Sequence, residues 1–282
     1  MENYLTFGYN FRNQTGTIED LYRGYILTDY RSLFANNADL TESQNQTAAA
    51  GFNYRKALTL FFAGVNVLYN HVASNNIASE VITNTLQQRV VLPYPNSTNW
   101  WTVSGNVSKY SFALKTTFSG GLQWQNNGSV QLQNNNLLPF NTTTEAANLN
   151  ANTKVNDQVN FSYKATLTQT YSHSAVEASA FHISQLLQQA EVNYIPSDDM
   201  QFKLSGEHYF TRQQGNPDLK YFFADAAMKF RLKSLKTDVE LSAVNFLNVK
   251  NYSYLNLSAN TFTASSYTLP GRIILLKVMF NL

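Results

Sequence analysis

The sequence predicts an all-β fold, an antiparallel transmembrane β-barrel, on three observations: little charge, many aromatic residues, and a period-two alternation that recurs along the chain. Of 282 residues only 13% are charged, while 44% are hydrophobic and 14% aromatic, and cysteine is absent. A soluble domain carries about 25% charged residues, so half the usual charge is missing. Asn and Gln, about a sixth of the chain, take its place against ordinary usage. With 19 Phe and 17 Tyr the chain is too apolar to be disordered. The lack of cysteine excludes a disulfide scaffold, thiolate catalysis and a zinc–thiolate site. A net charge of +2 leaves no electrostatic footprint for nucleic acid. A membrane helix needs about 18 consecutive apolar residues. The best runs fall short, since 57–69 is broken by Thr59 and Asn66, and 273–280 by Lys277. A barrel resolves the conflict, because its lipid-facing residues alternate with polar ones and keep mean hydropathy low.

The strands follow in order. Leu5, Phe7, Tyr9 and Phe11 share one face at the start. Over 111–125, Phe112, Leu114, Thr116, Phe118, Gly120, Leu122 and Trp124 oppose Ser111, Lys115, Thr117, Ser119, Gln123 and Gln125. Over 158–169, Val159, Phe161, Tyr163, Ala165 and Leu167 oppose Gln158, Asn160, Ser162, Lys164, Thr166 and Thr168. Over 200–210, Phe202, Leu204, Gly206 and Phe210 oppose Gln201, Lys203, Ser205 and Glu207. Ile274, Leu276, Val278 and Phe280 close the chain opposite Lys277. No 3.6-residue period is sustained, so helices are excluded. The alternation gives about twelve strands.

Connections alternate in length. Short turns fit at 56–57, 108–110, 155–157, 196–199 and 234–236, and Asn126-Asn127-Gly128 reads as a further turn. Stretches rich in Asn, Thr, Gln and Ser fill 13–46, 75–97, 127–143, 173–180, 212–218 and 248–270, with a loop hairpin expected over 78–93. Short turns on one side and long loops on the other are the arrangement of outer-membrane barrels, turns periplasmic and loops extracellular. One hairpin is predicted at residue level. A turn at 233–236 sets Lys229 opposite Glu240 and Arg231 opposite Asp238 as ion pairs on the lumen face, with Met228 and Phe230 facing Leu241 and Val239 on the lipid side. A one-residue slip sends those charges into lipid, at ~2–4 kcal/mol per basic group at the midplane.

The closing segments carry a resemblance. Val244-Asn245-Phe246-Leu247-Asn248, Asn251-Tyr252, Leu269-Pro270-Gly271-Arg272 and Leu276-Lys277-Val278-Met279-Phe280 resemble the end of TonB-dependent outer-membrane receptors of the Bacteroidota type. Asn53-Tyr54-Arg55 and Asn99-Trp100-Trp101-Thr102-Val103-Ser104-Gly105-Asn106 are similar to the middle of the same group. The resemblance implies a 22-stranded barrel of which residues 1–282 form the C-terminal part. It also implies a signal peptide, a plug domain and a TonB-contacting segment ahead of that barrel, and the sequence here opens directly on a strand. Its partners are outer-membrane lipid, a surface-exposed substrate-binding lipoprotein and, through the missing N-terminal part, TonB.

Chemistry by side chains finds little support. His71, His173 and His182 form no ligand cluster with an acidic neighbour. His208 falls on the lipid-facing parity, where a barrel phospholipase needs a nucleophilic Ser beside it. The neighbouring positions, Gln188 and the set Phe222, Ala224, Ala226 and Met228, provide none. No catalytic residue, metal or cofactor is expected. Ligand contacts are expected in two loops, from Tyr22, Arg23, Tyr25, Asp29, Tyr30, Arg31 and Phe34 in the first, and from Tyr252, Tyr254, Phe262 and Tyr267 in the last. Trp100, Trp101, Trp124, Tyr163 and Tyr194 are expected to form the girdles at the membrane interfaces. The resulting expectation is a receptor and transport barrel of the cell outer membrane for TonB-dependent nutrient uptake. The alternative is a self-contained twelve-stranded porin or adhesin.

Overall fold

The computed structural model describes residues 2–17, 21–83, 86–174, 180–258 and 261–280. Nearly all of them are strand. The elements are β1 (Glu2–Thr15), β2 (Ile26–Asp29), β3 (Ser32–Asn36), β4 (Glu42–Lys56), β5 (Phe61–Ser74), β6 (Ile77–Ile82), β7 (Gln87–Leu92), β8 (Asn96–Ser111) and β9 (Thr116–Gln133). They continue as β10 (Asn136–Lys154), β11 (Val159–Ser174), β12 (Ala180–Ser197), β13 (Met200–Gln213), β14 (Leu219–Leu232), β15 (Thr237–Val244), β16 (Asn251–Ser258), β17 (Thr261–Thr268) and β18 (Ile273–Phe280). Twelve of these form one antiparallel wall in the order β1-β4-β5-β8-β9-β10-β11-β12-β13-β14-β15-β18. That is the strand number the alternation predicts. Within the described residues the wall is open, with β1 and β18 at its two edges.

Two neighbouring rows of the wall explain its stability. Leu5, Phe52, Val65, Gly105, Leu122, Ala147, Leu167, Leu186 and Phe210 follow one another across nine strands on one face. The next row, on the other face, is Thr6, Gly51, Asn66, Ser104, Gln123, Ala146, Thr168, Gln185 and Thr211. Cross-strand register therefore sorts the whole alternation into an apolar outer face and a polar inner one. The rows also climb. Phe61, beside a short turn, leads through Lys109, Phe118, Ala151, Tyr163, Ala190 and Gly206 to Ala224, well up β14 towards the long loops. That climb is the stagger of tilted barrel strands. At ~3.3 Å per residue and ~40° of tilt, Phe202–Phe210 rises roughly 20 Å, close to the ~25 Å apolar band of such barrels.

Three of the short turns end on a left-handed residue. Ala57–Thr59 and Lys233–Leu235 are single 3-10 turns closed by left-handed Leu60 (φ 47°) and Lys236 (φ 46°). Residues 112–115 end likewise on Lys115 (φ 47°). The predicted turns at 56–57, 155–157, 196–199 and 234–236 stand. The one at 108–110 is corrected, because β8 runs on to pair Ser111 with Thr116. Phe112 and Leu114 thus sit in the turn rather than on a strand face.

Above the apolar band the wall continues as extensions. Residues 127–143 are not a loop. β9 and β10 run on to a two-residue hairpin at Asn134 and Asn135 (φ 48° and 67°), the paired left-handed geometry of a type I′ turn. Asn126-Asn127-Gly128 is strand, opposite Trp101, Trp100 and Asn99. The hairpin expected within 78–93 is present as β6–β7. It joins β3 on one side and β9 on the other, which ties the first two long connections to the β9–β10 extension. Among the buried apolar residues, Ala35, Ala38, Ile77, Leu138 and Phe140 belong to this upper layer, whereas Ala224 lies in the wall on β14.

Candidate functional site

The last long connection is built by the sequence motif at the C-terminus. Asn245, in the left-handed region (φ 51°), accepts the N–H of Val249 at 3.0 Å and donates its amide to the Val249 carbonyl at 2.8 Å. Its own N–H donates to Asp225 Oδ1 at 2.6 Å. The Asn248 side chain accepts the N–H of Arg272 at 3.1 Å, and the Arg272 guanidinium donates to the Phe246 carbonyl at 2.8 Å. Gly271 (φ 72°) completes the crossing, where a Cβ would stand 2.7 Å from Asn248 Oδ1. The conformation and the close approach both call for glycine. The Asn-Phe-Leu-Asn and Pro-Gly-Arg segments are thus a structural knot between β15 and β18.

This knot lays the β16–β17 hairpin against the inner face of the wall. Gln185 Nε2 donates to the Leu255 carbonyl at 3.2 Å, and the Ser253 N–H donates to the Tyr221 hydroxyl at 3.0 Å. Tyr252 packs among wall residues, with ring centroids 5.0 Å from Tyr221, 5.8 Å from Tyr209 and 6.1 Å from Phe223. Such pairs add ~0.5–1.5 kcal/mol each beyond area burial. Burial, and then the neighbouring Tyr221 and Tyr254, pushes the Tyr252 hydroxyl above its ordinary pKa. Beneath Tyr252 lies an open cavity of ≈ 450 Å³ lined by Ser205, Glu207, Tyr209, Phe223, Asp225, Asn245 and Gly271. Glu207 accepts the Tyr209 hydroxyl at 2.8 Å and the Gln189 amide at 3.1 Å.

The expected ligand residues are not gathered into one site, although Tyr252 and Tyr267 are register partners in the β16–β17 hairpin. Tyr252 is packed on the wall, whereas Tyr254 and Tyr267 keep much of their surface exposed. In the first loop Tyr22, Tyr25 and Tyr30 are exposed, Arg23 pairs with Asp39 at 3.0 Å, and Tyr25 accepts a hydrogen bond from Gln88. Arg31 accepts the Gln87 N–H through its carbonyl, and Phe34 lies on β3 opposite Ile26. The side chains of Asp29 and Phe262 lie outside the described ones. The inner aromatic group Tyr209, Tyr221 and Phe223 escaped the sequence reading. Its signal was present, since Tyr209-Phe210 and Tyr221-Phe222-Phe223 put aromatic residues on both parities of β13 and β14.

The expected girdle divides. Trp101 and Trp124 are outward, and Trp101 meets Tyr69 at 4.6 Å between ring centroids. Tyr194 is outward near the short-turn end, its ring 6.0 Å from Phe202. Tyr163 is outward too, and its hydroxyl accepts the Gln188 amide at 2.9 Å. Trp100 is the exception and corrects the reading: as the immediate neighbour of Trp101 in a strand it faces inward, between Asn70 and Asn127. The register sets Lys229 opposite Glu240 and Arg231 opposite Asp238. The charges, however, gather on Asp238, with Lys229 Nζ at 3.1 Å and Arg231 Nε at 3.3 Å. Glu240 is flanked on its other side by Lys277 of β18. His208 lies opposite Gln188, with Nδ1 3.0 Å from its Oε1. Among the described residues no group of His, Asp and Glu has the makings of a metal site.

No family model matches the sequence, and no curated protein matches it. Solved structures do. The chain is similar to the receptor in the FpvAI–pyocin S2 complex, at 9% identity and a TM-score of 0.48, over 76% of this chain and 35% of that one. It is similar to Pseudomonas aeruginosa FpvA bound to heterologous pyoverdines, at 10% identity and a TM-score of 0.46, over 77% and 36%. It is also similar to the ferric yersiniabactin uptake receptor FyuA of Yersinia pestis, at 9% identity and a TM-score of 0.41, over 94% and 49%. These structural neighbours are TonB-dependent receptors. The chain spans between about a third and a half of their length.

Proposed function

We propose that this chain is the C-terminal wall of an outer-membrane receptor barrel that admits a nutrient across the membrane. The observation that carries the reading is the pair of adjacent rows, one apolar and one polar, across nine strands. An apolar row left uncovered on one side of a single-layer sheet needs lipid as its solvent, and a polar row behind it needs water. The unpaired edges of β1 and β18 support a wall completed by further strands, since an open ladder in lipid costs several kcal/mol per unsatisfied group. On this reading a plug and a TonB-contacting segment are contributed by sequence beyond these residues. A surface lipoprotein delivers cargo at the long-loop end, and the chain carries no enzymatic step.

The three tryptophans supply the test. Single-tryptophan variants are folded into vesicles whose acyl chains are brominated. Trp101 and Trp124 are quenched, while Trp100, one residue away on the inner face, is protected. Equal quenching of Trp100 and Trp101 refutes the lipid-facing assignment. Single-channel recording tests the completion of the wall by other strands: a stable pore from this chain alone supports a self-closed barrel instead.

A further inference from the structure

The cavity under the last loop has a chemistry the receptor reading does not specify. Three rings, Tyr209, Phe223 and Tyr252, and two carboxylates, Glu207 and Asp225, converge on it. Two other acidic groups of the inner face are matched by bases. Glu191 has Lys203 at 2.8 Å, and Asp238 has Lys229 and Arg231 at 3.1 and 3.3 Å. Glu207 and Asp225 instead take neutral donors, the Tyr209 hydroxyl and Gln189 amide on one and the Asn245 N–H on the other. Among the described residues no Lys, Arg or His forms a salt bridge with either. The cavity therefore sets two carboxylates without a salt bridge beside the negative faces of aromatic rings.

We infer that this cavity is a subsite for an organic cation, a protonated amine or a guanidinium carried by the cargo. Ring faces attract a cation through their quadrupole, most strongly where water is thinned out. The carboxylates accept its N–H groups as charge-assisted hydrogen bonds. An anionic group meets repulsion from both acids, and a neutral polyol leaves their charge unused. The volume of ≈ 450 Å³ admits a side-chain-sized head group with its stem. Placing the subsite in a transport lumen rests on the receptor reading, whereas the cavity itself is built from β13, β14, the ends of β15 and β18 and the connection between them.

The experiment titrates the full chain in detergent micelles with benzylammonium and with benzyl alcohol, a charged and neutral pair of nearly equal shape, by calorimetry. Benzylammonium is expected to bind at least about tenfold more tightly. Glu207→Gln with Asp225→Asn keeps the hydrogen-bond acceptors for Tyr209 and Asn245 while removing the charge, and it should abolish the preference. Equal affinity for the two probes, or a preference unchanged in that variant, overturns the inference. Insertion into vesicles is scored separately. Insertion without cation preference sinks the subsite alone. Equal bromolipid quenching of Trp100 and Trp101 sinks the receptor reading, and the micelle titration still decides the cavity.

Discussion

Leu149 is the position at which the lipid-facing assignment can be made to fail most cleanly. It lies on β10 between Gly120 and Ala165, on the outward face, and about half of it is exposed. Along that strand the outward series runs from Ala151 through Leu149 and Ala147 to Glu145, the last directly across from Trp124. An acidic side chain beside an outward tryptophan marks the upper edge of the apolar band, so Leu149 sits near its middle. Leu149→Arg then places a guanidinium in hydrocarbon and costs ~2–4 kcal/mol, a factor of roughly 30–900 in the folding equilibrium. Were this face in water, the same change at a half-exposed position would stay within about 0.5 kcal/mol. The assay is reversible urea unfolding from lipid vesicles. A depth series completes it: Ala147→Arg should cost less than Leu149→Arg, and Thr143→Arg close to nothing, whereas Asn148→Arg on the inner face should be nearly neutral. A flat series, or a larger penalty at Asn148 than at Leu149, refutes the assignment of faces.

Three further predictions concern local devices. Gly271→Ala should cost ~1–3 kcal/mol, from a left-handed Cβ and its clash with Asn248 Oδ1, and should open the last connection to limited proteolysis. Lys236→Val at the left-handed turn position should cost ~1–2 kcal/mol, whereas Lys236→Gly should gain about 0.5, both by urea unfolding. Asp238→Ala leaves Lys229 and Arg231 without their shared carboxylate and should lower the urea midpoint, with Lys229→Met in the same background recovering part of the loss. Additive losses in that double variant would show that the three charges act independently.

What could be read from the sequence follows the solvent on each side of the strand. Where one face meets lipid and the other water, alternation is obligatory, and the strands at 158–169, 200–210 and 274–280 were legible from it, as was the register of Lys229 with Glu240. Past the apolar band both faces meet water or loops, so alternation is no longer enforced. Residues 127–143, dense in Asn, Gln and Thr, therefore looked like loop although they are paired strand. The turn at 112–115 was misplaced for a different reason: its left-handed residue is Lys115, with no Gly, Pro or Asn to announce it. The candidate cavity was not legible at all. It joins β13 and β14 to residues after β15, and nothing local in Glu207 or Asp225 reports that Tyr252 will fold back over them. The misassignment of Trp100 was avoidable, since adjacent strand residues cannot share a face.

The pattern of burial separates two ways of being stable within one sheet. A soluble sheet of this size covers its apolar face with a second layer, yet Leu122, Leu276 and Phe7 remain 70%, 69% and 79% exposed here. Those exposures are ordinary only if acyl chains stand where a second layer would. The extensions above the band have no such solvent, and there the chain behaves like a soluble domain, burying Ile77 to 2% and Phe140 to 4%. The same strand makes both arrangements on opposite faces: β10 presents Leu149 outward in the band and encloses Phe140 on its inner face above it. On the outward face the change along β10 is chemical, at Glu145 across from Trp124, the residues expected at a hydrocarbon–water boundary. A soluble sandwich accounts for the enclosed inner residues but leaves the outward ones without a solvent.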